Sequence, residues 1–204
     1  MGMEKIRRCL VVDGHGMFYA QQKLGWFFDP RHLIEFASRD PGVDLSSAFW
    51  YAGLKDAGDQ RPFRDALTSL GFTVRTKPLR EFGTDPELRQ FGRANLDVEI
   101  CLDLMAVAHR TDEVWLMSGS RDLERLVETQ RSLGLKTVLF NAESLAPREL
   151  RNAADQFVDL NQLRPILEKS EALRPHDPSR AESLRNLPGT PEPPRREVVI
   201  APSA

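Results

Sequence analysis

The sequence predicts an α/β protein: a three-layer α/β/α domain with a mostly parallel central sheet over residues 1–168, followed by a proline-rich tail over 169–204. Three observations carry this expectation. Short apolar runs alternate along the chain with amphipathic stretches, the pattern of right-handed βαβ crossovers. The first run, Leu10-Val11-Val12, is continuously apolar, as suits a strand covered on both faces. Beyond Ser170 the composition changes: seven of the 14 prolines fall in residues 171–204, among charges of both signs and few large apolar groups, which is the composition of a disordered tail.

The first strand leads from Ile6 into Asp13, and Gly14 and Gly16 suggest a sharp turn that calls for unusual backbone angles. Met17 to Phe28 is aromatic and apolar. Asp29-Pro30 opens a helix that runs to about Ser38, with Pro30 suited to its first turn. Ala48-Phe49-Trp50-Tyr51-Ala52 is the second strand, rich in aromatics, and Gly53 to Gln60 is a polar loop. Pro62 to Leu70 is a helix closed by Gly71, and Phe72 to Thr76 is the third strand. Lys77 to Arg93 is a long connection of the kind that often carries function. Asp97 to His109 is a helix whose apolar stripe holds Ile100, Leu104 and Val107 or Ala108. Val114 to Met117 is the fourth strand, Ser118 to Asp122 a turn. Leu123, Leu126, Val127, Gln130 and Leu133 then trace one face of a helix that Gly134 ends. Thr137 to Phe140 is the fifth strand, Pro147 to Ala154 a short helix, Gln156 to Val158 an edge strand, and Gln162 to Glu168 a last helical turn or two.

Composition limits the function classes. Hydrophobic content is 41% and net charge −2, so the protein has a real core and no global basic field for nucleic acid; such contact must come from a local patch. No apolar run approaches the roughly 18 residues of a membrane span. Met1 to Lys5 lacks a signal-peptide apolar region, and Cys9 and Cys101 sit inside predicted elements, as small buried residues rather than a disulfide or metal pair. The expected compartment is the cytoplasm. In the tail, Val198-Val199-Ile200 is the one apolar element; it could recruit a protein partner by adding a strand to a sheet edge. The sequence is compatible with a homodimer and does not specify one.

If the strands run parallel, their C-terminal ends share one edge, where open α/β sheets hold their sites. Three acids converge there: Asp13 ends strand one, Asp97 begins a helix, and Asp122 follows strand four. Clustered carboxylates repel unless a cation joins them. Mg²⁺ or Mn²⁺ fits such a set, since it takes oxygen ligands, needs only one or two direct carboxylates, and can activate water at a phosphodiester. Each residue also has a plainer reading. Asp13 suits an Asp-Gly turn, and Asp97 and Asp122 are good helix N-terminal residues, worth about 0.5–2 kcal/mol as caps. Asp103, six residues after Asp97 and about 120° round the helix, either supports the site or is solvated. His15, beside the glycines, either supports the site or is a hydrogen-bonded surface residue.

These residues fall in a recognisable order. Residues 6–160 resemble the NYN domain, or LabA-like, family of PIN-like ribonucleases. That family opens with an apolar strand and Asp-Gly-x-Asn, here Asp13-Gly14-His15-Gly16. Its Lys-Gly-x-Asp-Val helix start stands here as Ala94-Asn95-Leu96-Asp97-Val98, followed by Leu102-Asp103-Leu104-Met105. Its Ser-Gly-Asp-x-Asp-Phe stands as Ser118-Gly119-Ser120-Arg121-Asp122-Leu123, and its closing pattern as Leu150-Arg151, Ala154-Asp155 and Phe157-Val158-Asp159-Leu160. The resemblance implies a Rossmann-like fold and a metal-dependent endoribonuclease acting on single-stranded RNA. Asp13, Asp97 and Asp122 would be its catalytic and metal-binding residues, with Ser118, Ser120, Asp103 and His15 in support.

Three positions depart from the pattern. Gly16 replaces the asparagine, Ser120 the first acid of its pair, and Ala94 the lysine, with Arg93 one position earlier. Loss of a metal-orienting partner typically costs 10–100-fold in affinity or activity. Ser120 could still offer a hydroxyl to Mg²⁺, and His15 could replace the polar group missing at Gly16. Two readings therefore stand: a ribonuclease, or a degenerate member that binds RNA or a protein partner without cutting. For RNA, the basic candidates are Arg75, Lys77, Arg80, Arg93 and Arg121, which would form a cationic rim around the acidic pocket; taken singly, each also suits a solvated basic loop. A dinucleotide site is disfavoured, because Tyr19 stands where the third glycine of G-x-G-x-x-G belongs and Asp13 would face the pyrophosphate.

Overall fold

The computed structural model of the chain describes residues 4–56, 58–79, 81–82, 90–91 and 95–169. Arg80, Arg93 and the tail beyond residue 169 lie outside the described residues.

Strand β1 (Ile6–Asp13) is followed by helices α1 (Gly14–Leu24) and α2 (Pro30–Ala37), strand β2 (Val43–Leu54), helix α3 (Arg61–Ser69) and strand β3 (Thr73–Pro78). The long connection holds a small antiparallel pair, β4 (Glu81–Phe82) and β5 (Gln90–Phe91). Helix α4 (Asp97–Val107) leads through a 3₁₀ turn to β6 (Glu113–Met117). A second 3₁₀ turn, Arg121–Leu123, precedes α5 (Glu124–Ser132), β7 (Lys136–Asn141), α6 (Arg148–Ala153), β8 (Gln156–Asp159) and α7 (Leu160–Leu167). The six long strands form one sheet in the order β3-β2-β1-β6-β7-β8, every pair parallel. The chain builds outward from β1 to β3, returns to the centre, and builds outward again from β6. The strand order therefore reverses between β1 and β6, and a crevice opens at such a switch point beyond the C-terminal strand ends.

Period-2 alternation sends successive side chains to opposite faces. Leu10, Val12, Trp50, Met117 and Phe140 pack under Met17 of α1, Leu33 of α2, Leu67 of α3, and Leu160 and Leu167 of α7. Cys9, Val11, Phe49, Tyr51, Leu116 and Leu139 pack under Ile100 and Leu104 of α4, Leu126 and Val127 of α5, and Leu150 of α6. Each such leucine, fully buried, is worth about 1.5–3 kcal/mol.

Two expectations change. Gly14 and Gly16 are not a strained turn. Helix α1 begins at Gly14 with Asp13 as its N-cap, and the positive-φ glycines among the described residues are Gly25, Gly71 and Gly134, which follow α1, α3 and α5. The second strand begins at Val43 rather than Ala48 and runs to Leu54. Its first turns carry the partly or fully exposed Asp44, Ser46 and Ser47, which break the apolar pattern.

Candidate active site

Backbone register lines polar residues along the C-terminal edge of the sheet. Arg75 pairs with Tyr51, and Tyr51 with Asp13. Val12 pairs with Met117, and Met117 with Phe140, so Ser118 and Asn141 continue the row one residue later. Asp13 follows Val11 by two positions and therefore faces the α4–α5 side. The start of α4 is held over this edge, which brings Asp97 toward Asp13.

Asp13 is only 8% exposed. Its Oδ1 accepts from the Gly16 N–H at 2.8 Å, and its Oδ2 accepts from Ser118 Oγ at 3.0 Å. Ser118 is fully buried, and its Oγ accepts in turn from the Ser120 N–H at 3.2 Å. Ser120 Oγ donates to Asp97 Oδ2 at 2.7 Å. Ser118 thus gives its hydroxyl proton to Asp13 and Ser120 gives its own to Asp97, and the Ser120 N–H ties the two serines together.

Asn141 holds this turn from below. Its Nδ2 donates to the Ser118 carbonyl at 3.1 Å, and its Oδ1 accepts from the Ala142 N–H at 2.7 Å. A side chain at Gly119 would bring its Cβ to 2.8 Å from Asn141 Nδ2, so the glycine makes room for the amide. Sequence reasoning missed Asn141, though a signal was present: like Asp13, it is a polar residue ending an apolar strand.

Of the other predicted residues, Asp103 and Arg75 meet each other. Arg75 donates to both Asp103 oxygens, at 2.9 and 2.8 Å, and the Tyr51 hydroxyl adds a bond at 2.9 Å. Burial alone would raise the Asp103 pKa, but the bonds from Arg75 and Tyr51 outweigh it and hold the carboxyl below its ordinary range. Burial and the adjacent Asp103 charge push the Tyr51 phenol up, so it remains a neutral donor. Lys77 pairs with Glu99 at 2.8 Å, and that hydrogen bond lowers the Glu99 pKa. His15 packs edge-on against Tyr19 with ring centroids 5.3 Å apart. Arg121 and Asp122 are exposed in the 3₁₀ turn after Ser120. Asp122 completes no three-acid cluster: among the described residues, no three of His, Cys, Asp and Glu form a group that could hold a metal ion.

The profile of the NYN domain matches residues 7–161. The chain is also 46% identical over 176 residues to the low amplitude and bright protein LabA of Synechococcus elongatus, covering 86% of this chain and 95% of that one. The chain belongs to the NYN domain family, in its LabA-like branch. A crystal structure of a Vibrio parahaemolyticus protein of unknown function shares the fold with a TM-score of 0.68. It is 24% identical and spans 83% of this chain and 99% of its own. The NYN domain thus fills nearly all the described residues, and the Asp13–Ser118–Ser120–Asp97 chain lies at its sheet edge. The donors in that chain are all hard oxygens, two carboxylates and two hydroxyls, a set that suits Mg²⁺ or Mn²⁺ and offers nothing to a soft metal.

Proposed function

We propose that this NYN domain is a metal-dependent endoribonuclease that hydrolyses phosphodiester bonds of single-stranded RNA. The observation that carries this reading is the placement of Asp13 and Asp97 on two serines of one turn at the switch point of the sheet. Asp13 and Asp97 would hold Mg²⁺ or Mn²⁺; Asp122, exposed in the neighbouring turn and outside that pair, would act on the ion only through its water. The ion would supply an activated water and would stabilise charge on the phosphodiester oxygens. Ser118 and Asn141 fix the direction of the Asp13 carboxylate, and Ser120 fixes that of Asp97. Arg121, with Arg80 and Arg93 from the long connection, would hold the flanking phosphates, and Arg75 and Lys77, paired with Asp103 and Glu99, would do so only by sharing those pairs. His15 would line the same mouth.

A second reading has its own support. Gly16 and Ser120 stand where the family pattern has an amide and an acid, and the described acids form no group of three. On that reading the domain binds RNA at the same edge without cutting it.

One experiment separates the two. The full chain is incubated with labelled single-stranded RNA and Mn²⁺, beside Asp13→Asn and an EDTA control. The enzyme reading expects cleavage by the native protein, none in EDTA, and a loss on the order of 100-fold or more in Asp13→Asn, beyond that of an indirect metal-orienting residue. Asp13→Asn should still shift RNA on a gel, since it removes a negative charge from the site. Cleavage that survives both controls is contamination. A gel shift without cleavage under any divalent ion assigns the domain to the second reading.

A further inference from the structure

Helix α4 is apolar on two opposite faces. Ile100, Leu104 and Val107 are buried against the sheet. Val98, Leu102 and Met105 form a second stripe at i, i+4 and i+7 on the outer side, and they are 60%, 66% and 45% exposed. A helix that is hydrophobic all round is normally covered all round, and contiguous exposed apolar side chains mark an interaction surface. The patch borders the end of α5, whose Gln130 is buried beneath it. The Gln130 amide touches Met105 Sδ at 3.4 Å, and Leu133, one turn further along, is 54% exposed.

We infer that this face binds a second copy of the chain, with two α4 helices packed antiparallel about a twofold axis that passes near Cys101 and Leu102. The arrangement is self-complementary, as an isologous contact requires. Val98 of one protomer meets the partner's Met105, and Leu102 meets its own counterpart at the axis. Charge complementarity selects a second copy and sets the direction. Of the two acids that begin α4, Asp97 is turned to Ser120 and Glu99 is shared with Lys77 in a pair that is one-third exposed, so Glu99 is the acid available to the partner; the C-terminal end leads into the exposed His109 and Arg110. Antiparallel packing places the acidic end of each helix near the basic end of the other and opposes the two helix dipoles. A parallel arrangement would stack like on like. A standard interface covers about 800 Å² per partner, so the stripe is the centre of the contact and α5 with Leu133 its flank. This inference does not depend on the proposed ribonuclease activity.

The test uses the full chain at about micromolar concentration. Sedimentation velocity should report a dimer for the native protein and a monomer for Leu102→Lys, which sets two like charges together at the axis. Leu102 is largely exposed, so the variant should keep the native circular dichroism. Met105→Lys, one turn away, should weaken the dimer in the same direction. Thiol chemistry checks the place of the axis. Cys9 is fully buried and Cys101 partly exposed, so a short bismaleimide should join two chains through Cys101, and Cys101→Ser should abolish the product. A native monomer overturns the inference, as does a dimer that persists in Leu102→Lys. A dimer with no Cys101 cross-link overturns the placement of the axis near Cys101 and with it the α4–α4 contact. A monomer whose α4 face binds an apolar dye only after truncation at residue 169 assigns the face to the tail instead.

Discussion

A Cβ added at Gly14 would fall against Trp50 Nε1 and 2.7 Å from the Tyr51 carbonyl oxygen, while one added at Gly16 would overlap the Asp13 carboxylate. These two collisions differ in kind. The Tyr51 oxygen belongs to a central strand and cannot move without disturbing the sheet. The Asp13 carboxylate can turn away, at the cost of its bonds to the Gly16 N–H and Ser118. Gly14→Ala should therefore destabilise the fold by about 1–3 kcal/mol, as overpacking does, whereas Gly16→Ala should cost about 1 kcal/mol, the worth of the lost cap. Urea unfolding of the two variants checks the order, and equal losses would contradict it. The same pair marks a limit of sequence reading. The Asp-Gly-x-Gly string was legible as a feature at the end of a strand, and Asp13 as its centre. The reason for the glycines was not legible, because Trp50 and Tyr51 arrive from β2, far along the chain. Helix α1 was missed for a related reason: its buried face includes Gln21, whose amide bonds the Met17 carbonyl and the Phe28 N–H. A polar residue satisfied by local backbone looks in sequence like a solvent-facing one.

On the scale of elements, strand β3 and helix α4 are stapled together. Arg75 and Lys77 stand two apart on β3 and share a face, while Glu99 and Asp103 stand four apart on α4 and share another. The two ion pairs, at 2.8 Å each, tie the edge strand to the helix that begins with Asp97. The apolar stripe of α4 was legible from its 3.6-residue period, and Ile100, Leu104 and Val107 are buried as expected. The pairing was not, because Arg75 and Asp103 are 28 residues apart and meet only once α4 lies across the sheet. Arg75 is about half exposed and Asp103 mostly buried, at 48% and 16%, so the bond is worth less than a fully buried one and more than a surface pair. A double-mutant cycle with Arg75→Ala and Asp103→Ala should give a coupling of about 1 kcal/mol, weaker in high salt. Additivity within about 0.3 kcal/mol would mean that the staple is idle and that Arg75 is held by other contacts.

For the molecule as a whole, the parallel architecture was legible because the inner strands β1, β2, β6 and β7 each hold an apolar run, whereas the edge strands β3 and β8 are mixed and the strand order depends on which edge each crossover takes. The finished fold places its titratable groups so that stability has two pH limits. Hydrogen bonds from the Arg7 side chain and backbone hold the Asp112 carboxyl down at about 2. Asp103 and Asp155 are also lowered, each because hydrogen bonds and a nearby arginine outweigh burial. A carboxylate whose pKa is depressed by folding stabilises the native state above its unfolded value, near 4, and loses that contribution as pH falls through the folded value. At the other end, burial pushes the Cys9 thiol up to about 12, and the Tyr51 phenol is raised as well. A group raised by folding contributes fully below its unfolded pKa and loses the contribution as pH rises toward the folded one. The urea midpoint should therefore be level from about pH 5 to 8, fall below pH 4 as the paired carboxylates protonate, and fall again above about pH 9 as the unfolded thiol ionises. Asp112→Asn should make the acid limb shallower and leave the alkaline limb in place, while Cys9→Ala should do the reverse. If either substitution moves both limbs together, its effect comes from packing and the titration assignment fails.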